Sequence, residues 1–186
     1  MNGLLRRLDG LATDLAPFIV SLVLIMFSTM PVNVSSIGPV APNLGLIAVF
    51  YWTIYRPDLM PAIAVLPLGL WQDLMNAGPI GLNALTLLIV YGVILFQRVF
   101  FRGKTFLIVW WAFGLVAAFA SLVFWLAVMA WHLRYVDPAP LAFQFALTLA
   151  VFPFLYWVLS LIQRAIARRA QPGFPRVGDA SGPRGP

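Results

Sequence analysis

The sequence predicts an all-α fold, a polytopic membrane helical bundle of about six transmembrane helices with both termini on the cytoplasmic side. Three observations predict it. The 186 residues are 62% hydrophobic and only 10% charged, whereas soluble domains are roughly 25% charged. Apolar residues gather into long uncharged runs, which a chain this size cannot bury in one soluble core. The basic residues flank those runs, and all but one fall at alternate junctions, on one side of the bundle.

The first span is predicted from about Leu15 to Val34. Arg6 and Arg7 precede it as in a signal peptide, but no small-x-small cleavage site follows it cleanly, and five further apolar segments come later. It is read as an uncleaved span. Asp9 and Asp14 lie before or at its start, where the helix dipole favours negative charge, and Pro17 is expected in its first turn. Asn33, Ser35, Ser36, Gly38 and Pro39 are expected to form a short uncharged loop.

Leu44–Tyr55, with Asn43 as N-cap, and Ala62–Leu74, with Pro67 inside, are short apolar runs. Twelve residues reach only about 18 Å against a hydrocarbon core of roughly 30 Å. Two short spans are favoured over a re-entrant hairpin, whose tip would bury Arg56 and Asp58. Pro57 keeps Arg56 out of helical geometry, and Pro61 suits the next helix's first turn. Asn76, Gly78, Pro79 and Gly81 make a turn, and the fourth span follows from Leu82 to about Phe101. The fifth runs from Phe106 to Trp131, and the sixth from Leu141 to about Ile162 with a kink at Pro153. Residues 1–170 form the transmembrane domain. The Pro/Gly-rich segment 171–186 reads as a disordered cytoplasmic tail.

Orientation comes from the positive charges. With the N-terminus inside, Arg6, Arg7, Arg56, Arg98, Arg102, Lys104, Arg164, Arg168, Arg169, Arg176 and Arg184 are cytoplasmic, and only Arg134 is outside. A basic balance in this pattern points to a membrane rather than nucleic acid. Arg164, Arg168 and Arg169, clustered at the end of the last helix, are candidates for anionic lipid headgroups.

The residues argue against an enzyme. The chain has no cysteine, one histidine, six scattered aspartates and no glutamate. No metal motif, nucleophile–base pair or phosphate-binding glycine loop is present, and no cofactor is expected. Asp73 is the most informative acid. An intramembrane carboxylate is a functional candidate, but it also suits the organisation of the Asn76–Gly81 turn through backbone hydrogen bonds. Arg56, with Pro57 and Asp58, either docks a partner or lipid phosphate or satisfies local groups. Ala142, Ala146 and Ala150, and on the fifth span Gly114, Ala117, Ala118 and Ser121, are small-residue faces that let helices approach closely. Packing within the bundle is the plain reading, and a partner helix is the sharper one. Tyr51, Trp52, Tyr55, Trp110, Trp111, Trp125 and Trp131 read mostly as an interfacial belt, joined by His132.

The stretches PNLGLIAVFYWTIYRPDLMP (42–61) and GLWQDLMNAGPIGLNAL (69–85) resemble MreD, the membrane subunit of the bacterial rod-shape machinery. The matching features are Pro42, Tyr51, Trp52, Arg56-Pro57-Asp58, Pro61, Gly69, Asp73, Gly78, Pro79, Gly81 and Ala84. Trp71-Gln72 stands where an aliphatic pair is expected. The resemblance implies a non-enzymatic scaffold in the bacterial cytoplasmic (inner) membrane. It also implies the partners: an MreC-like single-span protein, the MreB filament, and the RodA–penicillin-binding-protein synthase pair. The family looks similar to the six-helix substrate-binding subunits of vitamin transporters, so such a subunit is the alternative. Asp73, Asn76, Asn83 and Gln144 are the polar residues that would gather for a ligand.

Overall fold

A computed structural model describes residues 2–28, 32–34, 38–76, 79–101, 105–133 and 135–169. Among them are six helices: α1 (Asn2–Ser28), α2 (Leu44–Tyr55), α3 (Ala62–Met75), α4 (Leu82–Phe101), α5 (Phe106–His132) and α6 (Ala139–Arg169). The last five follow the predicted apolar runs closely. The first does not. α1 begins far ahead of Leu15 and ends at Ser28, so Pro17 lies inside the helix rather than in its first turn. Proline has no N–H to donate to the preceding turn, and Ser21 Oγ turns back to donate to the Pro17 carbonyl at 2.7 Å.

The predicted loop is also corrected. Val32–Val34 (β1) and Gly38–Val40 (β2) pair antiparallel, with Val32 opposite Val40 and Val34 opposite Gly38. Val32 and Val34 favour extended backbone, and pairing satisfies groups that a loop would leave open. This hairpin joins the end of α1 to the start of α2, and β2 touches α6.

Helix α2 forms the axis of the bundle. Every residue from Leu44 to Ile54 is buried, as expected for a helix apolar on all sides. It contacts α1, α3, α4 and α6, while α1–α3, α3–α4, α4–α5 and α5–α6 are neighbours around it. Tyr51 and Trp52 are therefore core residues, 2% and 0% exposed, rather than interfacial ones. Tyr51 donates to Gln163 Oε1 at 2.6 Å, and the Tyr55 and Tyr156 hydroxyls meet at 2.7 Å, tying α2 to α6. Phe113 stacks on Phe152 at 4.1 Å, and Phe50 meets Phe113 edge-on at 5.1 Å. Those three rings lock α2, α5 and α6 together.

The short corner after α2 takes the form its prolines impose. Arg56 is held at φ −142° and ψ 62°, outside helical geometry, before a single 3₁₀ turn over Pro57–Leu59. Pro61 is the N-cap of α3 rather than part of its first turn. Pro153 lies inside α6. It cannot donate to the Leu149 carbonyl, and the Trp110 indole N–H lies 3.4 Å from that oxygen instead.

The outer surface is strongly apolar. Ile63, Phe96, Leu115, Trp111, Phe154 and Trp157 are all more than half exposed. A patch of this extent suits lipid and not water. Phe106–His132 and Ala139–Ala167 are long and apolar enough to cross a membrane by themselves. Leu15–Ser28, Leu44–Tyr55, Ala62–Met75 and Leu82–Gln97 are shorter apolar helices.

Candidate functional site: an acid-capped turn beside a polar cavity

Helix α4 begins without a capping side chain of its own, because Gly81 precedes it. Gly81 has φ +101°, a conformation that a side chain would strain. The missing cap comes from α3. Asp73, 1% exposed, accepts from Gly81 N at 2.8 Å through Oδ2 and from Asn83 N at 2.9 Å through Oδ1. The Asn83 side-chain amide donates to Oδ1 at 3.0 Å, and Ala84 N lies 3.4 Å from Oδ2. Four N–H groups thus converge on one carboxylate at a helix N-terminus, where negative charge is favoured.

Asp73 reaches this position because α3 lies very close to α4. A Cβ built on Gly69 would fall 2.3 Å from Ala84 Cα and 2.8 Å from Ala84 N. Gly69 and Asp73 are one turn apart on the same face. The glycine sets the approach and the acid uses it. This is the physical content of the Gly69-x-x-x-Asp73 and Gly81 spacing. Gly78 lies outside the described residues.

A cavity of about 180 Å³ opens beside this clasp. It draws on the start of α2, the end of α3, the start of α4, the middle of α5 and the first half of α6. All of these lie toward the end of the bundle opposite Arg56. The structure brings together Asp73, Asn76, Asn83 and Gln144, as the sequence suggested. It adds Asn43, Gln72, Thr86, Ser121 and Thr148, which sequence reasoning missed as a group.

Three of these added residues, Asn43, Gln72 and Thr148, form a connected chain. Asn43 caps α2 by accepting from Leu46 N at 2.9 Å, and the same oxygen accepts from Gln72 Nε2 at 3.1 Å. Asn43 N donates to Thr148 Oγ1 at 2.9 Å, and Gln144 Nε2 donates to the Ala41 carbonyl at 3.1 Å. Gln72 is 3% exposed and its Oε1 has no partner. The signal in the sequence was the four-residue spacing of Gln144 and Thr148, which places both on one face of α6. The link to Asn43, more than a hundred residues away, was not readable.

The remaining candidates lie elsewhere. Ala142, Ala146 and Ala150 are exposed on α6, so that stripe faces outward rather than into the bundle. Ala118 on α5 is exposed and Gly114 is half-buried, close to Leu149. Arg56 is half-buried, Pro57 buried and Asp58 exposed, and no ion pair joins Arg56 to Asp58 among the described residues. Arg164 is exposed near Tyr51. Arg168 and Arg169 belong to α6, but their side chains lie outside the described residues, as does the tail 171–186. No group of three or more metal-ligating side chains occurs among the described residues.

The model of the rod shape-determining protein MreD family matches residues 11–165. The chain belongs to the MreD family. It is therefore a membrane protein of the bacterial rod-shape machinery, in a family with a structural, shape-determining role. The match covers α2–α5 and most of α1 and α6, and includes the Arg56-Pro57-Asp58 corner, the α3–α4 clasp and every residue lining the cavity. No curated protein and no solved structure matches the chain.

Proposed function

We propose that this MreD-family chain is a non-enzymatic scaffold of the cell-elongation complex in the bacterial inner membrane. It supports peptidoglycan synthesis by holding an MreC-like single-span partner. The RodA–penicillin-binding-protein synthase and the MreB filament are reached through the same assembly. The six helices cross the bilayer with both termini inside, which puts the Arg56 corner in the cytoplasm and the polar cavity on the outer side. The positive charge distribution supports this orientation.

The outward-facing Ala142, Ala146 and Ala150 stripe carries the partner reading. Close packing is a main source of attraction between helices in lipid, and small residues permit it. Ala146→Leu tests it. The variant should stay monodisperse, because the face is external, but lose co-purification with the MreC-like protein. Retained co-purification removes the stripe from the interface. The polar cavity is the observation that bears on the second reading, a substrate-binding transporter subunit. Depletion separates the two: loss of rod shape with normal uptake supports the scaffold, and impaired uptake with normal shape supports the transporter subunit.

A further inference from the structure

The cavity has a chemical character of its own. Its roughly 180 Å³ leaves room for about six waters, or one small molecule of that bulk. No lysine, arginine or histidine lines it among the described residues, so no described side chain there offers a positive charge to an anion. Its one acid, Asp73, has both oxygens occupied by N–H donors at the start of α4, so nothing there calls for a cation. What remains is a set of amides and hydroxyls from several elements. Ser121 Oγ has no hydrogen-bond partner among the described residues. Gln144 and Asn83 each donate through their side-chain nitrogen, leaving an oxygen to accept. Polar groups are costly within a bundle whose outer surface is apolar, and those with spare bonding capacity mark places where something polar is received. Exposed Asn76 and half-buried Leu141 border the cavity at the α3–α4 end.

We infer that the cavity lined by α2, α3, α4, α5 and α6 is a binding site for an uncharged, hydroxyl- or amide-bearing group, held by Asn83, Ser121 and Gln144. The group arrives either as a free solute or as the headgroup of a neutral lipid. The site is independent of the lateral face on α6, and its test does not depend on any partner protein.

The chain has no cysteine, so Ser121→Cys, nearly isosteric, provides a clean reporter. The full-length variant is placed in phosphatidylcholine nanodiscs, avoiding sugar-headed detergents that would compete. It is labelled with N-ethylmaleimide alone or with glucose, glycerol or acetamide, with glucosyl-diacylglycerol in the disc, or with inorganic phosphate. Saturable protection of at least fivefold by any free probe identifies a solute site. Protection by the glycolipid alone identifies a headgroup site. Phosphate should give none. Ser121→Leu, which occupies part of the cavity without removing an internal hydrogen bond, should weaken wild-type binding of the protecting probe by at least tenfold in native mass spectrometry. Unprotected labelling under every uncharged probe, protection by phosphate, or undiminished binding by a folded Ser121→Leu protein overturns the inference.

Discussion

Replacing Gly69 by alanine tests the clasp between α3 and α4 directly. Two effects oppose each other. Alanine in a helix interior is favoured over glycine by about 1 kcal/mol. Against this, the new Cβ would lie 2.3 Å from Ala84 Cα. Restoring an ordinary carbon–carbon separation of ~3.5–4.0 Å requires α3 to withdraw by over an ångström. Overpacking of this kind typically costs about 1–3 kcal/mol. The withdrawal also carries Asp73 away from Gly81 N and Asn83 N, now at 2.8 and 2.9 Å. Hydrogen bonds to a charged group contribute about 1.5–3 kcal/mol each. The clash therefore wins, with a net loss of about 3 kcal/mol or more. Thermal unfolding in nanodiscs should show a clearly lower midpoint. Gly92→Ala is the control, since nothing lies within 4 Å of its Cβ position, and it should be neutral or mildly stabilising. Adding Ala84→Gly should not rescue Gly69→Ala, because the closest contacts are to Ala84 backbone atoms. Gly69→Ala unfolding no earlier than Gly92→Ala would refute the reasoning.

Asp73→Asn keeps the shape but loses one acceptor and the charge, and should cost about 1.5–3 kcal/mol in the same unfolding assay. Asp179→Asn, in the tail, should change nothing, so equal stability and complementation of the two variants would count against the clasp. Replacing Arg164, Arg168 and Arg169 together by glutamine should weaken anionic-lipid retention in native mass spectrometry, by about 1 kcal/mol per residue, or roughly fivefold each. Topology is read by single-cysteine labelling in intact cells. Ile80→Cys, exposed at the α3–α4 turn, should react with an impermeant maleimide, and Asp58→Cys should react only after permeabilisation.

Much of this protein was readable from local pattern. Apolar runs bounded by Gly, Pro, Asn and Arg marked five of the six helices, because helix ends need caps and breakers that are themselves sequence features. Arg56 outside helical geometry and Asn43 as the cap of α2 follow from single residue types. The extent of α1 and the Val32–Val40 hairpin were misjudged. Apolar β-branched residues after a helix satisfy a span and a strand equally well, and pairing across the turn is not local.

Tertiary structure alone decided which face each helix turns inward. Tyr51 and Trp52 have the composition of an interfacial belt, yet α2 is surrounded by neighbours and buries both. Ala142, Ala146 and Ala150 have the spacing of an internal packing face, yet α6 turns them outward. Asp73 was legible as an acid beside a Gly/Pro turn. That it caps the next helix depended on Gly69 meeting Ala84 backbone to backbone. Asn43, Gln72, Ser121 and Thr148 became one cavity lining only when four helices and the cap of α2 converged. Periodicity determines which residues share a face of one helix. Which face another helix covers depends on contacts between segments far apart in the chain, and no local pattern encodes them.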